Sequence, residues 1–308
     1  MTVEKITLIV NPKAGMDRKR LMPEDVVPAF KTEDNEITVR LTQRAGHAAE
    51  IAKECAPESD AIVCCGGDGT FNEVVNGVIE AGADIPLVYI PCGSTNDFAN
   101  TLGIPGTPAE VAAMYRAGSV YAYDVGVLNG RAYTYVVSFG VAASLSYTTP
   151  QKFKNLFGHA AYMINGFVIH AIPILATLKP AKLKIEYDEG TLEGNFYFGA
   201  VSNTTKVAGL LNFDTCGVKL DDGKLEVILV KDVNAFNAVP IFRRIRRQDY
   251  SGDNLIMFKT EKLKITSEAP LDWTLDGEEC KAGLVSDIGV LKRRIRVVSA
   301  KTDLLSAE

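Results

Sequence analysis

The run Cys64-Cys65-Gly66-Gly67-Asp68-Gly69-Thr70-Phe71-Asn72-Glu73 limits the folds open to this chain more than any other segment. Ala61-Ile62-Val63 and the two cysteines lead into it as a short buried strand. Three glycines in four positions free the backbone to take φ > 0 and to approach a ligand with no Cβ in the way. Thr70 and Glu73 have the spacing of a capping box, which predicts a helix starting here. Phe71, Val74, Val75, Val78 and Ile79 give that helix an apolar face. Strand, glycine turn and helix N-terminus aim several N–H groups and a partial positive charge at one point, an arrangement suited to phosphate. Asp68 runs against it: a carboxylate beside a phosphate repels it unless a cation lies between, so Asp68 implies Mg²⁺.

Other glycine loops fit poorly. No Gly-x-x-x-x-Gly-Lys-Ser/Thr occurs, which excludes a P-loop. Gly67-x-Gly69-x-x-Asn72 has two glycines of the dinucleotide fingerprint, but Asn72 stands where close helix–strand packing needs the third. A structural turn with a solvated Asp is the plain alternative.

The 308 residues leave room for two domains and a sizeable core. A hydrophobic share of 47% with 23% charged residues is that of a globular protein, and a net charge of −5 argues against nucleic acid as a partner. The six cysteines have no Cys-x-x-Cys spacing, and the absence of a signal-peptide pattern in Met1 to Val10 agrees with reduced thiols in a cytoplasmic protein. Residues 160–178 contain no Asp, Glu, Lys or Arg and reach the length of a membrane span. Asn165, Gly166, His170 and Pro173 are costly or disruptive in lipid, so the expectation is a buried or groove-lining helix, a first sign of an apolar substrate.

Strand and helix patterns alternate through the first ~125 residues, the mark of a parallel α/β sheet. Strands are expected at 6–10, 37–41, 61–65 and 87–90, with helices at 18–30, 47–55 and 70–81 and shorter ones after Asp97 and Pro108. Asn11-Pro12-Lys13-Ala14-Gly15 and Pro91-Cys92-Gly93-Ser94-Thr95-Asn96-Asp97 are polar turns at strand ends, where open α/β sheets bind ligands. With the Gly66 turn they should share one crevice. Beyond Val120 the pattern becomes antiparallel: 121–128, an Asn129-Gly130 turn and 131–139 form a hairpin signal. After a helical insert at 151–178, strand-like runs follow at 183–187, 195–202, 225–230, 262–266, 271–275 and 294–298. The expected organisation is an α/β nucleotide-binding domain over 1–126, a mainly antiparallel β-sandwich with inserted helices over 127–300, and a tail over 301–308 returning to the first domain.

Carboxylates recur at the turns. Asp97 follows hydroxyl and amide groups suited to phosphate oxygens, or caps a helix. Asp276-Gly277-Glu278 is either a simple hairpin turn or, facing the crevice, the source of a general base for an attacking hydroxyl. Asp221-Asp222-Gly223-Lys224 is a hairpin or a loop wrapping a hard cation. Arg243-Arg244-Ile245-Arg246-Arg247 is a basic cluster in an acidic chain, either a membrane-facing patch or a solvated helix face.

Asn11-Pro12-x-x-Gly15, Gly66-Gly67-Asp68-Gly69-Thr70-x-Asn72-Glu73, Gly93-Ser94-Thr95-Asn96-Asp97-Phe98-Ala99, Asp222-Gly223-x-Leu225 and Leu275-Asp276-Gly277-Glu278 follow the order of diacylglycerol kinase catalytic domains. The chain resembles a soluble bacterial lipid kinase of that family, which also has sphingosine and ceramide kinase relatives. The resemblance spans about residues 6 to 300. Gly-Gly-Asp-Gly alone is shared with NAD kinases; its pairing with Gly-Ser-Thr-Asn-Asp-Phe-Ala is far more specific. The resemblance implies ATP held by Asn11, Pro12, Lys13, Ala14, Gly15, Thr42, Gly66, Gly67, Asp68, Gly69, Thr70, Asn72, Glu73, Gly93, Ser94, Thr95 and Asn96. It implies Mg²⁺ anchored through water by Asp68, Asp97 and Asp124, and a structural Mg²⁺ at Lys219, Asp222 and Lys224. There the usual Pro-x-Ala is replaced by Cys216-Gly217-Val218. Asp276 or Glu278 would be the base, acting with Asp68. The implied reaction moves the γ-phosphoryl of ATP to the hydroxyl of diacylglycerol or a similar lipid at an anionic membrane surface, by a cytoplasmic enzyme bound peripherally to the inner face. Oligomeric state, monomer or homodimer, stays open. The alternatives are an NAD kinase-type phosphotransferase and a non-catalytic lipid- or nucleotide-binding protein of the same fold.

Overall fold

The computed structural model describes residues 3–15, 21–93, 96–140, 179–207, 211–213, 216–234 and 236–305. Ser94, Thr95, the first residues of the 18–30 helical pattern and the 151–178 insert lie outside them.

Four parallel strands open the chain: β1 (Glu4–Val10), β2 (Asn35–Leu41), β3 (Ala61–Gly66) and β4 (Pro86–Pro91), adjacent in the order β2-β1-β3-β4. β3 is buried along its whole length, as a strand covered on both faces must be. Helices α1 (Pro23–Phe30) and α5 (Pro108–Arg116) pack on one face through Val26, Phe30, Val111 and Ala112. Helices α2 (His47–Cys55), α3 (Asp68–Ala81) and α4 (Asp97–Leu102) cover the other through Ile51, Phe71, Val75 and Phe98. Gly77 lets α2 and α3 approach closely: a Cβ there would lie 2.3 Å from the Ala49 carbonyl.

The second half consists of antiparallel strands β5 (Val120–Leu128), β6 (Arg131–Tyr133), β7 (Val136–Gly140), β8 (Ala181–Tyr187), β9 (Gly190–Ser202), β10 (Lys206–Val207), β11 (Leu211–Asn212), β12 (Leu225–Lys231), β13 (Leu255–Thr260), β14 (Lys262–Ser267), β15 (Asp272–Leu275), β16 (Glu278–Lys281) and β17 (Val285–Val298), with one further helix, α6 (Ala238–Arg246), among the described residues. A core around Trp273, Phe139, Leu229 and Ile265 fills it. The alternation over 131–139 gives two strands rather than one, parted at Thr134-Tyr135.

β17 joins the halves. It runs antiparallel to β14 and β5, then its last turn of strand lies parallel to β4, with Arg296 beside Pro86 and Val297 beside Leu87. The chain then folds back over the first half: Ala300 N–H donates to the Leu102 carbonyl at 3.0 Å, and Leu305 is buried. No helix among the described residues is long and apolar enough to cross a membrane.

Candidate active site

The carboxyl ends of β1, β2, β3 and β4 converge, and their turns wall a crevice of about 390 Å³. Asn11 N–H donates to the Cys65 carbonyl and Thr42 N–H to the Val10 carbonyl, so three turns are tied at their roots. The Asn11 carboxamide oxygen accepts Lys13 N–H, and its amide donates to Thr70 Oγ1 at 2.9 Å. Pro12 is half-buried in the same turn. Lys13, Ala14, Gly15, Thr42, Gly67, Gly69, Thr70 and Gly93 line the crevice, joined by Gln43 and Arg44 from the β2 end. The glycines are needed. A Cβ on Gly66 would meet Thr70 at 2.7 Å, and one on Gly93 would lie 2.9 Å from the Gly67 Cα, so the two turns touch backbone to backbone.

α3 starts at Asp68, two residues before the capping-box spacing puts it. Thr70 accepts Asn11 instead of capping the helix, and Glu73 serves another helix: its carboxylate accepts Gly46 N–H at 2.7 Å and Ala48 N–H at 3.0 Å, at the start of α2. Glu73 lines the crevice with both oxygens so engaged. Asp68 is buried; its oxygens accept Asp97 N–H at 3.2 Å and the Tyr89 hydroxyl at 3.3 Å. Burial and the neighbouring Asp97 charge push its carboxyl above the usual range, against the pull of those donors. Asn96 takes a left-handed φ of 51° and donates to the Gly93 carbonyl, turning the chain so that Asp97 opens α4 beside Asp68.

From the second half, the Asp276-Gly277 hairpin turn (φ 48° and 91°) enters the same region. Its two carboxylates go opposite ways. Asp276 is buried, and its oxygens accept Thr134 N–H and Oγ1–H, Tyr135 N–H, Val136 N–H and the Asn72 amide, at 2.6 to 3.1 Å. Burial pushes its pKa up, and the backbone N–H groups on both oxygens pull the other way, favouring the ionised carboxylate. It also explains the break between β6 and β7, since three strand N–H groups turn to Asp276. Glu278 faces the crevice. Its Oε1 is 3.3 Å from where a Cβ on Gly69 would stand, over the first turn of α3, and its Oε2 pairs with Arg131 at 3.2 Å.

A family model described as "Diacylglycerol kinase catalytic domain" matches residues 5–128. The diacylglycerol kinase of Bacillus subtilis (strain 168) is 30% identical over 302 residues, 97% of this chain and 97% of that one. This chain belongs to the diacylglycerol kinase family. A diacylglycerol kinase of Staphylococcus saprophyticus is 29% identical over 278 residues, 89% of each chain. The fold agrees with a crystal structure of a diacylglycerol kinase from Bacillus anthracis str. Sterne (TM-score 0.72, 24% identity, 98% of this chain and 99% of that one) and with a second from that strain (TM-score 0.79, 25% identity, 98% and 99%). Membership makes the chain a kinase of a lipid-phosphorylating family, with ATP as the donor, and removes the NAD kinase alternative.

Two residues expected at the diacylglycerol kinase crevice make their described hydrogen bonds to other parts of the chain. Asn72 turns toward the second half, with its amide on Asp276 and the Ala132 carbonyl. Asp124 is fully buried: its oxygens accept Gly223 N–H and Arg293 N–H, both at 2.6 Å, while burial and the charges of Asp222 and Asp221 push its carboxyl up. It pins the 219–224 loop to the β17 bulge. In that loop Asp222 accepts Lys224 N–H at 3.0 Å and faces the Lys259 ammonium at 3.4 Å. Lys259 also donates to the Gly217 carbonyl at 2.8 Å and lies 3.2 Å from Glu226, whose buried carboxyl is pushed up to about 8. The Lys219 side chain donates to the Asp303 carbonyl. The Lys259 ammonium therefore sets positive charge against the Asp222 carboxylate of this loop.

Tyr89, Arg131 and Tyr135 are site residues that sequence reasoning missed. Tyr135 is buried, and the charges of Asp276, Asp97 and Asp68 help hold its hydroxyl protonated. Arg44 carried the one available signal, a position just beyond a strand end.

Proposed function

We propose that the chain transfers the γ-phosphoryl group of ATP to the free hydroxyl of diacylglycerol or a similar lipid, with Glu278 as general base. The observation that carries this is Glu278 standing over Gly69 in the first turn of α3, in the same crevice as the glycine turns. N–H groups at the α3 start, with Lys13 and Arg44, would hold the phosphates. Asp68 and Asp97 are two adjacent hard oxygen donors, and burial with the Asp97 charge raises the Asp68 carboxyl, which suits a divalent cation; among the described residues no group of three such side chains surrounds one ion, so anchoring through water fits better than direct ligation. When bound, Mg²⁺ would neutralise charge on the β- and γ-phosphates. Glu278 takes the proton from the lipid hydroxyl as its oxygen attacks the γ-phosphorus, and ADP leaves. Asp276 has no room for this role: five donors hold it, so it fixes the turn that presents Glu278. Labelled ATP, purified protein and micelles of diacylglycerol, monoacylglycerol, phosphatidylglycerol or sphingosine test the reading, scored by chromatography of the lipid phase. Label confined to ATP and inorganic phosphate across the panel would sink it.

We also place membrane contact at α6. Residues 233–248 carry four arginines and no acid. Arg243, Arg246 and Arg247 are exposed, while Arg244 is engaged by Asp249 at 3.0 Å. Just before the helix, Asn234 accepts Phe236 and Asn237 N–H groups, a firm turn that leaves Phe236 93% exposed. Each basic residue near an anionic surface contributes about 1 kcal/mol. Sedimentation with anionic vesicles should weaken as salt rises, and equal binding to neutral vesicles would leave the cluster as solvated surface.

A further inference from the structure

Cys65 is the penultimate residue of β3 and Cys92 follows β4, and their sulfurs lie 3.3 Å apart, 27 residues distant in sequence. Both side chains point to the α1/α5 face of the sheet, whereas Cys64 points to the other, so Cys64 does not compete. The thiols sit directly beneath the two turns that touch through Gly67 and Gly93. Cys92 N–H also donates to the Gly66 carbonyl at 2.7 Å, so any shift of Cys92 is passed to the Gly66 turn. A disulfide has its sulfurs at about 2.05 Å, so bonding this pair must draw the two strand ends together and displace the turns that begin one residue later.

We propose that Cys65 and Cys92 form a reversible disulfide on exposure to a hydroperoxide, and that this bond distorts the paired glycine turns and suppresses nucleotide binding. Both thiols are buried and share one hydrogen bond, which pulls the Cys92 pKa down against the opposing effect of burial, so Cys92 is taken as the first nucleophile. The Cys92 sulfur attacks a peroxide oxygen and the O–O bond breaks, giving a sulfenic acid and one water. The Cys65 sulfur attacks the Cys92 sulfur, the S–O bond breaks, and the hydroxyl leaves as a second water with the Cys65 proton. Two thiols and one hydrogen peroxide become one disulfide and two waters; a dithiol reductant reverses the change.

The cross-link is independent of the kinase assignment, and only its effect on nucleotide rests on that reading. Reduced full-length protein is treated with hydrogen peroxide, blocked with N-ethylmaleimide and digested for mass spectrometry, and affinity for a fluorescent ATP analogue is measured on the same samples. The expected result is a Cys65–Cys92 cross-linked peptide, at least tenfold weaker analogue binding, and recovery with dithiothreitol. Cys65→Ala should bind the analogue like the unmodified protein and keep that binding after peroxide. The half-buried Cys216 and Cys280 serve as internal controls. Alkylated Cys65 and Cys92 after those two have been oxidised would overturn the proposal, as would a cross-link that leaves analogue binding unchanged.

Discussion

Asp276 and Glu278 are two residues apart on one hairpin and face opposite surroundings. The inner side of the turn is a closed polar layer in which Asp276 spends both oxygens on backbone and side-chain donors. The outer side is the crevice, where the Glu278 side chain remains 55% exposed. Asp124 and Glu73 repeat the inner pattern, with backbone N–H groups on each oxygen. A carboxylate saturated by fixed donors is a structural fastening; one with solvent-facing capacity beside a phosphate-binding turn can accept a proton. The difference is one of partners rather than residue type.

The strongest way to break this division is Asp68→Asn, which keeps the shape of the hydrogen-bonded side chain and removes its charge. Phosphoryl transfer should fall about a thousandfold, ~4 kcal/mol of barrier, with thermal stability little changed. A loss smaller than tenfold in a steady-state assay would move Asp68 to the structural side. Next comes Asp276→Ala, which strands three buried N–H groups at about 1 kcal/mol or more each, so urea unfolding should show ~3 kcal/mol less stability. Unaltered stability would mean that the five hydrogen bonds contribute nothing net. Glu278→Gln should give the mirror image: kcat lower by about a hundredfold, ~2.7 kcal/mol, ATP KM unchanged and stability within ~0.5 kcal/mol. The smallest effect is expected of Gly93→Ala, whose Cβ would press on Gly67 and Asn96. ATP KM should rise about tenfold, ~1.4 kcal/mol, and an unchanged KM would show that the two turns need not touch.

Local signals carried far in this chain. Helix α2 spans His47–Cys55 as its periodicity predicts, β3 runs into the glycine turn, and β12 and β14 appear where alternation places them. What escaped was decided by partners far away. The spacing of Thr70 and Glu73 fits a capping box, yet Glu73 caps α2, 25 to 27 residues upstream. The break at Thr134-Tyr135 is set by Asp276, more than 140 residues on. Asn72 meets Asp276 across 204 residues, a contact its place in the motif does not reveal. β13 was missed because its Leu255–Thr260 run alternates weakly beside a glycine turn, and β12 supplies the pairing that makes it a strand. The resemblance narrows the proposed base to the Asp276-Gly277-Glu278 turn, but choosing within it needs to know which carboxylate is already surrounded.

The seating of β17 against β4 affects how the protein is made. On the ribosome, Pro86 and Leu87 emerge some two hundred residues before Arg296 and Val297, their eventual neighbours in the sheet. Through most of synthesis the first half therefore carries an open parallel edge of apolar strand, the kind of edge that pairs with other chains. Only when the last strand arrives is that edge closed, so the order of translation makes the C-terminus the step that completes the N-terminal half.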